Sequence, residues 1–186
     1  MTVSDQAITD AVVHAAGLGD HRAFAVIYDD LAGAVCGYLR AKGVADPEAV
    51  TSDVFLGVLP RLAQVVGGAV GLRKLVFSIA HARMVDDHRG RARRPAEVDY
   101  VPATDRREVR SAEDEAHVGL GTEWVLATLG VLPHDQREVL LLRLVADLTL
   151  EQVAEIIGRS TGAVKQLQRR GLRAIRLVLE EGRVTL

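Results

Sequence analysis

Between Glu155 and Glu180 the sequence carries Arg159, Lys165, Arg169, Arg170, Arg173 and Arg176, with no carboxylate among them to neutralise the charge. Guanidinium and ammonium groups meet the acceptor edge of guanine, and glutamine meets adenine, when a helix presents them to the major groove. Lys165, Gln166 and Arg169 have the types and spacing for base contacts, with Arg170 and Arg173 beside them for phosphates. Gly162 lacks a side chain where a helix start would bring its free N–H groups close to a phosphate. A solvated basic helix would carry the same run of charge, so the decision rests on the frame that holds it.

That frame is legible. Thr149, Leu150, Glu151 and Gln152 fit a capping box, in which the threonine oxygen accepts from the third residue's N–H and the glutamine accepts from the threonine N–H. Leu150, Val153, Ala154 and Ile157 form the buried stripe of the helix that follows. Gly158 suits a left-handed end and Ser160 caps the next helix, leaving room only for a tight turn. In the last helix Val164, Leu167, Gly171, Leu172, Ile175 and Leu179 are read as the inward face. This is a helix-turn-helix, whose second helix enters the major groove.

Other chemistry is poorly served. Asp86, Asp87 and His88 are adjacent, so on a helix they diverge around its axis, whereas helical metal ligands stand three or four apart. His14, His21, His81, His117 and His134 are scattered, and no glycine-rich phosphate loop follows a strand pattern. The sequence therefore predicts no enzyme, no metal and no cofactor. A formal net charge of −2 excludes a uniformly basic coat, so a nucleic-acid site must be local. Cys36 alone cannot close an internal disulfide, which fits a reducing cytoplasm. The first ten residues do not read as an export leader, and no apolar run reaches a membrane span of about 18 residues.

The elements that must position these residues are helical. With 48% hydrophobic residues but only three Phe, three Tyr and one Trp, the 186-residue chain must fill its cores with aliphatic groups. After a short N-terminal lead, Phe24, Ile27, Tyr28, Leu31, Val35 and Tyr38 recur at helical spacing. Asp46 and Pro47 start a second helix running to about Leu62. Gly67, Gly68 and Gly71 interrupt the pattern, and Leu72, Leu75, Val76, Ile79 and Ala80 restore it into a basic run ending at Arg94. Residues 95–116 hold Pro95 and Pro102 among mixed charges and read as a linker. Trp124, Val125, Leu129 and Leu132 begin a second helical group, interrupted at Pro133 and continued by Val139, Leu140, Leu142, Leu144 and Val145. The expected fold is all-α, with small helical domains at 1–94 and 117–186 joined by a flexible linker.

The order of these elements resembles the extracytoplasmic-function (ECF) sigma factors of bacterial RNA polymerase, over nearly the whole chain. Leu132, Pro133, His134, Asp135, Gln136, Arg137 and Glu138 are similar to the start of the family's region 4, and Leu148 to Gly158 continue the match. Thr161 to Lys165 are similar to the start of its recognition helix, and Leu167 to Leu172 resemble a variant common in actinobacterial members. Leu167 and Gln168 replace the more usual basic residue followed by leucine. The resemblance implies that Gly162, Lys165, Gln166, Arg169, Arg170 and Arg173 meet the −35 element.

Asp46 to Leu56 resemble region 2.2, which implies that Ala49, Ser52, Asp53 and Leu56 dock on core polymerase, with Gly57 in place of a usual basic residue. Leu72 to Arg94 resemble regions 2.3 and 2.4, which implies that Phe77, His81, Arg83, Arg89 and Arg91 hold the opened −10 strand. Leu75 stands where the family often has tryptophan. The implied partners are core RNA polymerase, promoter DNA and an anti-sigma factor, and a monomer is expected when free. The rival reading is a helix-turn-helix regulator that is no polymerase subunit. It explains the C-terminal half equally well, but a regulator would be expected to carry a dimerisation helix, and no coiled-coil heptad run is present.

Overall fold

Proline, glycine and capping side chains set where each helix begins and ends. The computed structural model describes residues 8–93 and 128–180, and the regular elements among them are all helical. The linker at 95–116, together with Trp124 and Val125, lies outside the described residues.

Helix α1 (Asp10–Gly17) occupies what the sequence suggested was a lead. Thr9 Oγ1 accepts from Val12 N at 3.3 Å, and Val13 and Ala16 turn inward. Helix α2 (His21–Ala41) is capped by Asp20, whose carboxylate accepts from Arg22 N at 2.8 Å and Ala23 N at 3.2 Å. Its buried stripe is Ala23, Ile27, Leu31, Val35 and Tyr38, as the spacing demands. Helix α3 (Pro47–Val58) begins at the expected Asp46 cap, which accepts from Ala49 N at 2.9 Å. It stops short of Leu62, and a 3-10 turn (Leu59–Gln64) follows. Pro60 is the reason, because it has no amide hydrogen to donate and its ring clashes with the preceding turn of an α-helix.

Helix α4 (Gly68–Arg93) starts earlier than the apolar pattern suggests. Asp10 of α1 reaches across to accept from Ala69 N at 2.8 Å, so a side chain 59 residues away caps the helix. Gly68 has φ of 56°, and a Cβ there would lie 1.9 Å from Asp10 Oδ1. The glycine that reads as a helix breaker is therefore what lets this cap form. Arg73 pairs with Asp30 at 3.0 Å and ties α4 to α2.

The C-terminal group contains α5 (His134–Leu144), α6 (Leu150–Ile157) and α7 (Thr161–Glu180). Arg137 of α5 donates to the carbonyl oxygens of Leu129, Gly130 and Leu132, fastening the preceding turn. Leu129, Leu132, Val139, Leu140, Leu142, Leu148, Val153 and Val164 are buried in this group, each full burial contributing about 1.5–3 kcal/mol. Leu172, expected inside, is exposed, and so is Leu144. Gly171 takes the inward place on α7, against Leu140, and the next residue is rotated about 100° away from it. The two groups of helices touch along α4 and α6.

Candidate nucleic-acid interface

The helix-turn-helix is built as its sequence requires. Gln152 N donates to Thr149 Oγ1 at 3.2 Å and Thr149 N donates to Gln152 Oε1 at 2.9 Å, so both halves of the capping box are made. Gly158 is left-handed at φ 66°, and three residues later α7 begins. Ser160 Oγ accepts from Ala163 N at 3.2 Å, and Arg159 pairs with Asp135 of α5 at 2.6 Å. The turn is thus pinned from both sides, and α7 is held by Val164 and by Gly171 against the core.

Lys165, Gln166, Arg169, Arg170 and Arg173 are all exposed, and none makes an ion pair among the described residues. Their spacing sets them along one exposed side of α7. Gly162 is open, with no atom within 4 Å of where a Cβ would stand, so nothing inside the described fold requires glycine there. Arg176, by contrast, is paired with Glu180 at 2.8 Å.

On α3, Ala49, Ser52, Asp53 and Leu56 fall at i, i+3, i+4 and i+7 and are all exposed, while Thr51, Val54, Phe55 and Val58 face inward. Leu56 is 65% exposed, and three residues on Leu59 adds a second exposed apolar group. One carboxylate beside exposed leucines is a surface suited to a partner with both basic and apolar groups.

The expected strand-holding residues on α4 divide. Arg83 and Arg89 are exposed. Arg91 is partly committed, donating to Gly43 O at 2.6 Å and pairing with Asp87 at 2.5 Å. Phe77 is fully buried, its ring edge-on to Tyr38 with centroids 5.9 Å apart, so it has no face for a base in this structure. It lies five residues after Leu72 and one after Val76, within the stripe that packs on α2, and burial there outweighs exposure for stacking.

His81 is committed as well, and to a group from the other end of the chain. Its Nδ1 shares a hydrogen bond of 3.1 Å with Tyr38 Oη and lies 3.3 Å from Glu138 Oε1 of α5. Lys42, at the end of α2, approaches the same carboxylate oxygen at 3.2 Å and donates to His134 Nε2 at 2.8 Å. The Lys42 and Glu138 side chains are only 2% and 11% exposed. Burial pushes the Glu138 carboxyl up, but the His81 hydrogen bond and the Lys42 charge outweigh it and hold the pKa at about 2. Burial pulls Lys42 below the usual lysine range while Glu138 pulls it back, and burial raises Tyr38 well above a free phenol.

Farther along α4, Lys74 pairs with Glu155 of α6, and Gln152 Nε2 donates to Val70 O at 3.3 Å. Lys42, Lys74, Glu138 and Glu155 were not marked out by the sequence, since an ion pair between distant helices has no local pattern. Glu138 offered only a faint signal, a carboxylate among the apolar residues Val139, Leu140, Leu141 and Leu142.

Among the described residues, regular elements that are all helical and a capped helix-turn-helix whose row of Lys165, Arg169, Arg170 and Arg173 makes no ion pair define the structural class of DNA-reading helical proteins. Residues 128–177 match the family Sigma-70, region 4. The chain is 31% identical over 181 residues to ECF RNA polymerase sigma factor BldN of Streptomyces coelicolor, spanning 96% of this chain and 68% of that protein. It is 30% identical over 138 residues to ECF RNA polymerase sigma factor ShbA of Streptomyces griseus, spanning 72% of each. In a solved complex with the cytosolic domain of CnrY, CnrH shares the fold with a TM-score of 0.60 at 22% identity, over 92% of this chain and 97% of that one. The chain belongs to the ECF RNA polymerase sigma factors. That membership disfavours the rival reading of a regulator acting apart from polymerase. No helix among the described residues is long and apolar enough to cross a membrane.

Proposed function

We propose that the chain binds core RNA polymerase through Ala49, Ser52, Asp53 and Leu56, and reads duplex promoter DNA with Gly162, Lys165, Gln166, Arg169, Arg170 and Arg173. Its domains would be 1–94 for polymerase and the −10 element and 117–186 for the −35 element, with 95–116 as linker. Arg83 and Arg89 would steady the opened strand, with His81 and Arg91 once released from their present partners. Phe77 is withdrawn as a stacking surface because it is buried. The chain would work in the cytoplasm, without catalysis of its own, and an anti-sigma factor would be its regulator.

The observation that carries this reading is the exposed row on α7, whose cations lack ion-pair partners among the described residues. Solvated cations stacked on one face repel one another, and a polyanion removes that cost. Transcription in vitro with core polymerase and a pool of promoter templates tests it. Initiation that depends on added protein is the expected result. Binding to duplex DNA without initiation at any template would return the chain to the regulator class. Asp53→Arg should weaken binding to core polymerase while duplex DNA affinity stays unchanged, and equal polymerase affinity would remove Asp53 from the docking face.

A further inference from the structure

A cavity of about 280 Å³ opens beside the glycine-rich loop at residues 65–71. Arg61 and Gln64 line it from the 3-10 turn, and Lys74, Leu75 and Ser78 line it from α4, the helix that carries Arg83 and Arg89. Helix α1 is joined to both walls. At its start Asp10 caps α4 through Ala69 N at 2.8 Å. At its end Gly17 lies so close to the 3-10 turn that a Cβ would stand 3.2 Å from Leu62 O. Val13 and Ala16 are buried between these two contacts, so α1 is fixed by packing as well. The loop between the walls is set as closely. Gly67 and Gly68 have φ of 87° and 56°, and a Cβ on Gly71 would lie 1.9 Å from Val66 O. Glycine is the residue that permits such a path, and it also loses the most freedom in taking it, so a loop of this kind depends on what holds its ends.

We infer that α1 is the brace of the strand-holding site: Asp10 and Gly17 fix the two cavity walls and the loop between them, so that an opened strand meets a surface already in shape. This rests on the reading of α4 as the strand-holding helix. Asp10 touches no nucleic acid in this scheme. It acts through Ala69 and the loop, as a positioning residue. Its carboxylate also occupies the N-terminus of α4, where a phosphate would otherwise find free N–H groups, so the strand's phosphates are left to the cations. Without the brace, strand affinity is reduced to the fraction of molecules in which the loop is set.

The test compares Asp10→Ala and Asp10→Asn with a control, Asp20→Ala, which removes the cap of α2 and leaves the loop alone. Each full-length variant is assembled with core polymerase, and a short fluorescein-labelled single-stranded DNA of mixed sequence reads strand affinity, with core polymerase alone as the blank. Thermal unfolding and circular dichroism of the free chain read stability and helicity. Both alanine variants should lower the unfolding midpoint, since each loses a cap. Strand affinity should fall only in Asp10→Ala, by about tenfold if the set loop drops to about a tenth of the population. Asp10→Asn keeps an acceptor oxygen and should recover most of that loss. In Gly68→Ala the new Cβ would displace the Asp10 carboxylate, so strand binding should weaken as in Asp10→Ala, and the two changes together should cost little more than either alone. An equal loss of strand affinity in Asp10→Ala and Asp20→Ala would reduce the effect to stability and overturn the brace. Undiminished affinity in Asp10→Ala, beside a loss in the double variant Arg83→Ala with Arg89→Ala, would overturn the brace and leave the α4 reading standing. Strand binding by that double variant as tight as wild type would remove the α4 reading and the brace with it.

Discussion

Glu138 is a buried carboxylate whose ionised form is kept by its neighbours, so it makes stability depend on pH. Its folded pKa of about 2 lies below the ordinary 4.5. A depressed carboxyl stabilises above its unfolded value and loses that contribution as pH falls toward the folded one. The full shift corresponds to about 3 kcal/mol, an upper figure because a buried ion pair repays only part of the cost of taking both charges out of water. Glu138→Gln should therefore lower stability at neutral pH and flatten the fall in denaturation midpoint between about pH 5 and pH 3. An acid limb as steep as wild type would show that other carboxylates dominate. On α7 the residues act outward instead. Lys165→Ala and Arg169→Ala should each cost about 1–3 kcal/mol of duplex recognition and relax base preference at separate positions, read by binding to systematically altered templates. Promoter selection unaffected by both would displace the reading face from this side of the helix.

At the scale of elements, α6 is only eight residues long, too short to hold its shape without its ends and its packing. Thr149→Ala removes the side-chain acceptor of the Gln152 N–H while keeping the Thr149 backbone donor to the Gln152 side chain, and should cost about 1 kcal/mol. A fall of a few degrees, roughly 4–8 °C in a small domain, should appear in thermal unfolding. An unchanged midpoint would mean that Val153 and Ala154 hold α6 by packing alone. Such local devices are what could be read in advance. The Asp46 and Pro47 start, the capping box, Gly158 and Ser160 all lie within a few residues of the group they satisfy. What escaped reading joins distant residues: Asp10 capping α4, and Glu138 meeting Lys42 and His81, while on α7 Gly171 faces inward as read and Leu172 does not. Helix α1 was missed for a related reason, since eight residues with a stripe of Val13 and Ala16 carry almost no period of their own. Phe77 failed because one aromatic on an apolar helix serves a core and a stacking surface equally well until its neighbours are placed.

For the whole molecule, the decisive quantity is where charge lies rather than how much there is. A net charge of −2 gives no overall attraction to DNA, yet the charged residues from Arg159 to Arg176 are all basic, and every one but Arg159, in the turn, lies on α7. Acidic groups of the same chain sit elsewhere, on the exposed face of α3 at Asp53 and against α4 at Glu138 and Glu155. Duplex DNA would therefore be gripped by a small number of cations, and each neutralised phosphate contributes about −0.9 to the slope of log affinity against log salt. If Arg170 and Arg173 meet phosphates while Lys165 and Arg169 meet bases, the two pairs separate in one experiment. Arg173→Ala should weaken every duplex about equally and make the salt slope shallower by about 1. Lys165→Ala should leave the slope nearly unchanged and weaken preferred sequences more than others. Fluorescence anisotropy over a salt series, with one preferred and one scrambled duplex, reads both. An equal loss of slope for both variants would make α7 a general phosphate clamp, and sequence selection would then have to come from the opened strand on α4.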